Sequence, residues 1–480
     1  MDFRPILYIL GILLSILAIS MVLPMLADIY WGNDDWRVFF LCIVITSFFG
    51  GSLILSNTSD EINMNLRQAF MMTFLSWVTL PIFASLPFTL SDMNLSFTDS
   101  FFEAVSGLTT TGSTVVTGLD TAPPGFLLWR AILQWLGGIG IIIMAMSVLP
   151  FLNVGGMQIF KTELSENEKA LPRTAQLASS IGMIYIALTM ICVLAYFMAG
   201  MGKFDAVAHA MTTIATGGFS TYDASIAHFN SDLIELLAII FMILSGIPFV
   251  LYLKASNGNF VPLFRDTQVH WFLIILAVSI FALTAYLTIT ADRSLWDAFI
   301  ACAFNTVSLM TGTGYTTEAY DLWGGFAVAL LFFLMAMGAC AGSTSCGIKL
   351  FRFQIFFAVA AVQIKKLLHP HAAYVAHYNK KPIPSDVPLS VMSFLFLYAV
   401  CFIVLALALS AIGLDFITAL SGAMTSISNV GPGLGNIIGP AGSFAPLPES
   451  AKWVLSIGML LGRLEILAAF VIFHPDFWRH

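Results

Sequence analysis

Charged side chains are scarce in this sequence. Asp, Glu, Lys and Arg together make up 10% of its 480 residues, whereas 59% of the residues are hydrophobic. The core of a soluble protein does not use so much apolar surface, and the mean hydropathy of +0.90 is correspondingly high. The composition therefore predicts a polytopic membrane protein and excludes a soluble one. The net charge of −7 gives no reason to expect nucleic acid as a partner.

Patterns for metal binding and catalysis are also lacking. None of the six Cys residues forms a C-x-x-C motif, and most lie in apolar stretches, where Cys acts as a small buried hydrophobic residue. The eight His residues show no spacing typical of metal ligands. Because neither a nucleophile–base pair nor a ligand set is visible at bilayer depth, we expect neither enzymatic activity nor an organic cofactor.

Long hydrophobic stretches are abundant, and a transmembrane helix needs roughly 20 such residues. The first stretch, 6–27, is longer than the core of a signal peptide, and no clear A-x-A cleavage site follows it, so we interpret it as a membrane helix. The candidate spans are 6–27, 38–56, 69–90, 126–151, 178–200, 232–253, 270–290, 323–342, 350–364, 389–412 and 453–474.

The basic residues indicate an orientation in the membrane. Lys and Arg collect in one set of loops, including 161–173 and 365–381. The opposite side holds only Arg37, Arg130, Lys203, Arg293 and Lys452. By the positive-inside rule the first set is cytoplasmic, and both chain termini are then predicted to be cytoplasmic as well.

Four shorter segments share one pattern, in which an Asp is followed by a short helical stretch and a Thr/Ser-rich turn that carries Gly. They are too short and too polar at their ends to cross the bilayer, so we interpret them as re-entrant loops that enter from the outside. The segments are FTDSFFEAVSGLTTTGST (97–114), KFDAVAHAMTTIATGGFST (203–221), LWDAFIACAFNTVSLMTGTGYTT (295–317) and DFITALSGAMTSISNVGPG (415–433).

The repetition predicts an all-α fold in which four span–pore loop–span repeats surround one pore in a pseudo-fourfold arrangement. Non-helical backbone at bilayer depth is tolerated where it is buried in protein or lines a water-filled path, and carbonyl groups there can replace the hydration shell of an ion. The predicted divisions are an N-terminal helix pair (1–65) and four pore repeats (66–152, 153–255, 256–368 and 369–480).

The turns are predicted to form a selectivity filter for a cation. Gly adopts positive φ and lets other backbones approach closely, which suits a ring of carbonyl groups. One such turn alone would be a common bend in a membrane helix, but four at the same place favour a filter. The predicted ion-binding residues are Thr110, Thr111, Gly112, Thr216, Gly217, Gly218, Thr313, Gly314, Asn429, Val430 and Gly431.

Each re-entrant segment begins with an Asp, which is a favourable helix N-cap. We interpret these residues as structural caps. The helix that follows would direct the partial negative charge of its C-terminus toward the membrane centre, where it suits a cation. The four predicted caps are Asp99, Asp205, Asp297 and Asp415.

The third repeat contains a run of small residues, GACAGSTSCGIKLFRF (338–353), that cannot form a stable apolar helix. Such a run is tolerated only inside the protein, so we expect a flexible loop that gates the pore. The alternative is a kink packed against neighbouring helices. The predicted gating residues in this run are Gly338, Gly342, Ser343, Thr344, Ser345, Cys346, Gly347 and Lys349.

Arg463 lies midway along the last candidate span, where a charge is costly and usually faces the interior of the helix bundle. Facing the pore, it would repel cations below the filter and contribute to gating. Alternatively, it pairs with Glu465 of another subunit or with backbone carbonyl groups. Pairing within one helix is not expected, because residues two apart lie on different faces.

Several motifs resemble the Trk/Ktr/HKT superfamily of potassium transporters, most closely its bacterial TrkH/TrkG branch, over essentially the whole chain. They are LTTTGST (108–114), LQWLGGIGI (133–141), GGFSTYDAS (217–225), CAGST with GIK (340–349), KKLLHP (365–370), NVGPGLG (429–435), GRLEI (462–466) and PDFWRH (475–480).

The resemblance implies passive K⁺ uptake through a single-chain pore in the bacterial inner membrane. In that superfamily, Gly at all four filter positions goes with K⁺ permeation, which Gly112 matches. The resemblance also implies a homodimer and a cytosolic TrkA-like regulatory subunit that binds nucleotide. Where relatives carry an Asn-Tyr pair, this chain has Gly246-Ile247-Pro248, which suggests a kink. A transporter that couples K⁺ to H⁺ or Na⁺ is the alternative, and it would need a titratable side chain in the path.

Overall fold

The computed structural model describes residues 2–58, 64–147 and 170–479. Within these ranges seven helices are long and apolar enough to cross a membrane, or up to nine if each bent pair counts as one span. The two strands that are described form one short antiparallel hairpin, β1 (His377–Tyr378) and β2 (Lys381–Pro382). The prediction of an all-α polytopic membrane protein is therefore confirmed.

The N-terminal pair consists of α1 (Arg4–Ser20), which continues through α2 (Val22–Trp31), and α3 (Trp36–Ser56). The helices α1 and α3 cross closely at two glycines. A Cβ added to Gly11 would lie 2.8 Å from the carbonyl oxygen of Gly50. Small residues at such a crossing let two membrane helices approach to backbone contact.

The same order of elements then recurs four times, with a long helix, a short pore helix, a Gly-bearing turn and a second helix. Repeat 1 has α4 (Leu66–Ala84), α5 (Leu86–Leu90), α6 (Phe97–Leu108) and α7 (Pro124–Ser147). Repeat 2 has α8 (Ala170–Met198), α9 (Lys203–Ile214), α10 (Asp232–Ser245) and α11 (Phe249–Ser256). Repeat 3 has α12 (Val261–Arg265), α13 (Thr267–Thr290), α14 (Leu295–Thr311), α15 (Gly325–Ala336) and α16 (Leu350–Leu368). Repeat 4 has α17 (Val387–Ala411), α18 (Phe416–Ser428), α19 (Gly435–Ile438), α20 (Glu449–Arg463) and α21 (Ile466–Phe473). Single 3₁₀ turns occur at Leu119–Thr121, Ser225–Phe229, Tyr320–Leu322 and Pro475–Phe477.

The pore helices α6, α9, α14 and α18 lie at the centre, and the long helices surround them. In α14 almost every residue from Ala298 to Thr311 is buried. The long helix α13 of the same repeat leaves large apolar side chains such as Phe281 and Ile289 exposed. Helices buried on all sides form a core, whereas apolar side chains exposed on long outer helices face lipid.

Two candidate spans that the sequence suggested are broken rather than continuous. The stretch 232–253 bends by 89° between α10 and α11, at Gly246-Ile247-Pro248, so the kink expected at these residues is confirmed. Pro lacks a backbone N–H and disfavours helix in the residue before it, so the bend has a local cause. The stretch 453–474 bends by 106° between α20 and α21, where Glu465 has a φ of +59°.

Two further stretches differ from the prediction at their ends. The stretch 323–342 is helical only as far as Ala336, and the backbone then leaves the helix until Leu350. The predicted break over 338–349 is therefore present. For 126–151 the structure describes a helix as far as Ser147, and the remainder lies outside the described residues.

Of the four Asp residues predicted as N-caps, only Asp415 is one, and its carboxylate accepts the N–H of Thr418. Hydrogen bonds from the side chain and backbone of Thr418 hold the pKa of Asp415 below its ordinary value. In two other pore helices the caps are Ser96 and Ser294, whose hydroxyl oxygens accept backbone N–H groups. The mispredicted residues lie at the third helical position, where a carboxylate still suits the helix dipole: Asp99, Asp205 and Asp297.

Candidate functional site

All four pore helices end in the same hydrogen-bonded turn. Each turn carries a Gly at the same position, and these aligned glycines are Gly112, Gly218, Gly314 and Gly431. The residue directly before the aligned Gly donates its backbone N–H to the carbonyl oxygen five residues earlier. The residue two positions before the aligned Gly has positive φ. This is the Schellman arrangement, which stops a helix by using its free carbonyl groups. The hydrogen bonds run from Thr111 to Ser106 (2.9 Å), Gly217 to Thr212 (2.9 Å), Thr313 to Ser308 (2.9 Å) and Val430 to Thr425 (3.1 Å). The left-handed residues are Thr110 (φ +52°), Thr216 (φ +50°), Gly312 (φ +75°) and Asn429 (φ +52°).

We call residues 109–112, 215–218, 311–314 and 428–431 glycine turns 1 to 4. Each ends on a Gly with positive φ: Gly112 (+86°), Gly218 (+76°), Gly314 (+79°) and Gly431 (+106°). These conformations are accessible to Gly at little steric cost.

The four glycine turns close into a ring. A Cβ added to Gly112 would overlap the carbonyl oxygen of Gly217 in the next turn. In the same way, a Cβ added to Gly218 would overlap the carbonyl oxygen of Thr313, and one added to Gly314 would overlap that of Val430. A Cβ added to Gly431 would lie 2.9 Å from the carbonyl oxygen of Thr111, which closes the ring. Each turn therefore places a backbone carbonyl against the aligned Gly of its neighbour. The structure thus brings together every residue that was predicted to bind the ion.

A cavity of about 320 Å³ opens above this ring. All four aligned glycines line it, together with the residues that follow them, such as Ser113 and Phe219. We call this cavity the mouth. Its position makes the ring reachable from one side of the protein.

A buried ion pair lies behind turn 1. Glu103 on α6 and Arg130 on α7 are both almost fully buried, and their charged groups are 2.7 Å apart. The carboxylate also accepts the backbone N–H of Val115 (3.0 Å) and the hydroxyl of Thr114 (3.0 Å). Removing one partner of such a pair leaves an uncompensated buried charge, which costs about 3–5 kcal/mol.

The same arginine reaches the second repeat. Arg130 donates to the carbonyl oxygen of Ser220 at 2.8 Å, and its guanidinium lies 4.1 Å from the ring centroid of Phe219. One turn along α7, Gln134 donates to the carbonyl of Gly217 at 2.6 Å and accepts the N–H of Phe219 at 3.0 Å. The helix of repeat 1 thus supports the glycine turn of repeat 2.

Sequence reasoning missed this support. It placed Arg130 among the charges of the outer loops, although the residue is 1% exposed. Lys452 was placed there too, but it is buried and its ammonium lies 2.5 Å from the carboxylate of Asp99. The available signal was the spacing of Arg130 and Gln134, which four residues apart share one helix face.

Other junctions of the ring use different side chains. Tyr315 of repeat 3 donates to the carbonyl of His209 in α9 at 3.1 Å. Asn429 donates its amide to the hydroxyl of Thr111 at 2.9 Å, which ties turn 4 to turn 1. Ser113 donates to the carbonyl of Gly431 at 2.7 Å. The backbone ring is therefore pseudo-symmetric, whereas its side-chain supports are not.

The loop 338–349 is buried and hydrogen-bonded to the bend between α10 and α11. Phe249 donates its N–H to the carbonyl of Gly342 (2.9 Å), and the N–H of Cys340 reaches the carbonyl of Gly246 (3.2 Å). The hydroxyl of Thr344 donates to the carbonyl of Ser245 (3.2 Å). Two breaks in neighbouring helices therefore satisfy each other's free backbone groups, as buried non-helical backbone requires.

Cys346, near the end of the loop, lies directly against the ring. Its sulfur is 3.4 Å from the hydroxyl of Thr110 and 2.7 Å from a guanidinium nitrogen of Arg463. Lys349 donates to the carbonyl of Ser345 within the same loop. The structure thus gathers the predicted gating residues on the side of the ring opposite the mouth.

Arg463 lies midway along the stretch 453–474, as expected, but the helix ends there instead of continuing. It is the last residue of α20, where a cation is favoured by the helix dipole. It donates to the carbonyl of Gly137 at 3.0 Å, so it pairs with a backbone carbonyl group and also contacts Cys346 of the loop. Glu465 instead forms an ion pair with Arg352 at 2.5 Å. The bend after Arg463 is what separates the two charges.

A second, much smaller cavity of about 30 Å³ lies between the loop and α20. Cys346, Lys349, Asn429, Arg463 and Glu465 are among its lining residues. A cavity needs about 10–15 Å³ of this kind of volume to hold one water molecule, so a hydrated ion does not fit in this conformation.

Comparison with known proteins agrees with this architecture. Residues 36–479 match the TrkH family, which is described as a cation transport protein. The chain is 43% identical to the Trk system potassium uptake protein TrkI of Halomonas elongata, over 99% of this chain and 97% of that protein. It is 36% identical to the Trk system potassium uptake protein TrkH of Escherichia coli, with 100% of both chains covered.

A solved structure is similar over its whole length. The crystal structure of the potassium transporter TrkH from Vibrio parahaemolyticus superposes with a TM-score of 0.93, at 36% identity and with 100% of both chains covered. A fold shared at this level of sequence identity over the full length leaves one conclusion. The chain belongs to the TrkH family of cation transport proteins.

Proposed function

We propose that this chain is a potassium uptake protein that conducts K⁺ passively, driven by the membrane potential. The observation that carries the proposal is the ring of four glycine turns, in which each Gly abuts a carbonyl oxygen of the next turn. Such a ring offers backbone oxygens that replace the hydration shell of a cation. The names of the relatives favour K⁺ as the permeating ion.

In this proposal the glycine turns form the selectivity filter. K⁺ enters from the mouth, loses water, and is coordinated by the carbonyl groups of the turns. The ends of the four pore helices contribute partial negative charge at the ring. No organic cofactor takes part, and K⁺ is the transported substrate.

We place the gate at the loop 338–349 and Arg463. The contacts of Cys346 with Thr110 and Arg463 support this assignment, because they fill the space directly behind the ring. The positive charges of Lys349 and Arg463 add an electrostatic barrier to a cation. Opening then requires the loop to leave this position.

A K⁺ transporter coupled to H⁺ or Na⁺ is the second candidate. It is favoured by one observation, namely that Glu465 lines the small cavity next to Lys349 and Arg463. Against it, the carboxylate of Glu465 is already paired with Arg352, and Glu103 is held behind the ring by Arg130.

The setting of the protein is part of the proposal. We assign it to a bacterial inner membrane, with both termini cytoplasmic, as a homodimer surrounded by lipid. Its regulatory partner is a cytosolic TrkA-like subunit that binds nucleotide. The basic region 365–381, which includes exposed Lys366 at the end of α16, is the docking surface that we expect. The other basic loop, 161–173, lies mostly outside the described residues.

The test is a flux measurement on purified protein in liposomes that carry a K⁺ gradient, with and without a proton gradient. Passive conduction predicts flux that follows the K⁺ gradient alone and prefers K⁺ to Na⁺. Gly112→Ser should lower that preference. Flux that requires a proton gradient, or K⁺ that moves uphill when one is imposed, would instead establish the coupled transporter.

A further inference from the structure

Glycine turn 2 differs from the other three at the residue before the aligned Gly. Turns 1, 3 and 4 carry a β-branched side chain there: Thr111, Thr313 and Val430. Turn 2 carries Gly217. A Gly has more backbone freedom than a β-branched residue, so the carbonyl group of this turn is the least restrained by its own sequence.

The missing side chain is replaced by one from repeat 1. A Cβ added to Gly217 would lie within 2.8 Å of Nε2 of Gln134, so the amide occupies the space beside this backbone. Gln134 holds both sides of the turn, since it donates to the carbonyl of Gly217 and accepts the N–H of Phe219. Its side chain is fully buried. The amide therefore fixes the Gly217 carbonyl, which abuts Gly112 in the ring.

Arg130 extends the restraint beyond the turn. It binds the carbonyl of Ser220 and the hydroxyl of Thr114, so it connects the segments that follow turns 1 and 2. The pairing with Glu103 fixes its orientation. These two side chains of α7 thus connect adjacent quarters of the ring.

We propose that Gln134 is a specificity-determining positioning residue, which acts through the Gly217 carbonyl and sets the discrimination between K⁺ and Na⁺. This inference rests on the proposed function. A ring that discriminates by the spacing of its oxygens needs each of them restrained, and turn 2 depends on Gln134 for this. Loosening one quarter lets the ring contract around the smaller ion, so Na⁺ passes more readily.

The test compares variants by their K⁺ and Na⁺ fluxes in liposomes. Gln134→Met removes both hydrogen bonds and keeps an unbranched side chain of similar length. Gln134→Glu keeps the acceptor for Phe219 but loses the donor to Gly217. Gln68→Met is the matched control, because Gln68 is also buried, donates to the carbonyl of Asp2 (2.8 Å) and accepts the N–H of Asn65 (2.8 Å) far from the ring.

We expect the ratio of K⁺ to Na⁺ flux to fall roughly five- to tenfold in both Gln134 variants, as the loss of a hydrogen bond or two implies. The control should keep the wild-type ratio. An unchanged ratio, or a proportional loss of both fluxes, in the Gln134 variants would overturn the inference and leave the proposed function standing. A wild-type protein that does not prefer K⁺ would overturn the proposed function itself.

Discussion

At the scale of single residues, the ring depends on positions where no side chain fits. The aligned glycines combine positive φ with a carbonyl of the neighbouring turn at the place of a Cβ. Either condition alone is tolerated in many proteins, since strain in the left-handed region costs about 1–2 kcal/mol. Both together leave Gly as the residue that satisfies the ring.

Two variants separate the effect of backbone strain from the effect of contact across the ring. Gly218→Ala should abolish K⁺ flux, because its Cβ would overlap the Thr313 carbonyl. Gly258→Ala carries similar backbone strain, at a φ of +86°, but its Cβ would meet nothing within 4 Å. Flux should therefore persist in the Gly258 variant. Equal loss in both variants would mean that strain, rather than contact across the ring, makes Gly necessary.

The buried ion pair gives a second prediction at this scale. Arg130→Met should lower the free energy of unfolding by about 3–5 kcal/mol, because it leaves the buried carboxyl group of Glu103 without its partner. The double variant Glu103→Gln with Arg130→Met removes the stranded charge and should recover part of that loss. Thermal unfolding of the detergent-solubilised protein measures both. If the double variant loses as much free energy of unfolding as the two single variants together, the two residues do not form a direct ion pair.

At the scale of elements, broken helices form the region directly behind the ring. The loop 338–349 and the bend at Gly246–Pro248 satisfy each other's backbone groups, and the bend after Arg463 places that residue at a helix end next to Cys346. Each break costs helical hydrogen bonds that lipid cannot replace. Their burial beside the ring is consistent with a movable barrier.

Removing the charge of Arg463 tests this barrier. Arg463→Gln should raise K⁺ flux in the absence of any partner by roughly fivefold or more, since a unit charge a few ångströms from the path opposes a cation by over about 1 kcal/mol. Arg293→Gln, at a half-buried ion pair with Glu318, is the control and should leave flux unchanged. A flux that does not rise in the Arg463 variant would argue against a gate at this position.

The sequence predicted some of these elements better than others. The re-entrant helices and the aligned glycines followed from a pattern repeated four times, in which each copy supports the reading of the others. The bend after Arg463 was missed because hydropathy reports apolar content and not backbone continuity. Arg130 and Lys452 were misplaced because their ion pairs join residues distant in sequence, which composition does not reveal. The Ser caps were missed because Asp in the first turn resembles a cap.

At the scale of the whole molecule, four unequal repeats enclose one site. Turn 2 is held by Gln134, turn 4 is tied to turn 1 by Asn429, and Tyr315 joins repeats 2 and 3. A single chain can vary each quarter independently, which a pore of four identical subunits cannot do. Selectivity and gating can therefore reside in different repeats.

The proposed dimer is a prediction at this scale. Light scattering of the solubilised protein should give a protein mass of twice the 52.3 kDa of one chain. Because each chain carries its own ring, dilution that yields monomers should not abolish K⁺ flux. A monomer that is stable at all concentrations would contradict the dimer and leave the pore intact.

We propose that the ring passes K⁺ down its electrochemical gradient. The most direct measurement is the zero-current potential of the purified protein in a bilayer that separates KCl from NaCl. Passive, selective conduction predicts a large zero-current potential, negative on the KCl side, that a pH gradient does not move. A potential near zero would contradict selectivity, and a potential that shifts with the pH gradient would contradict passive conduction.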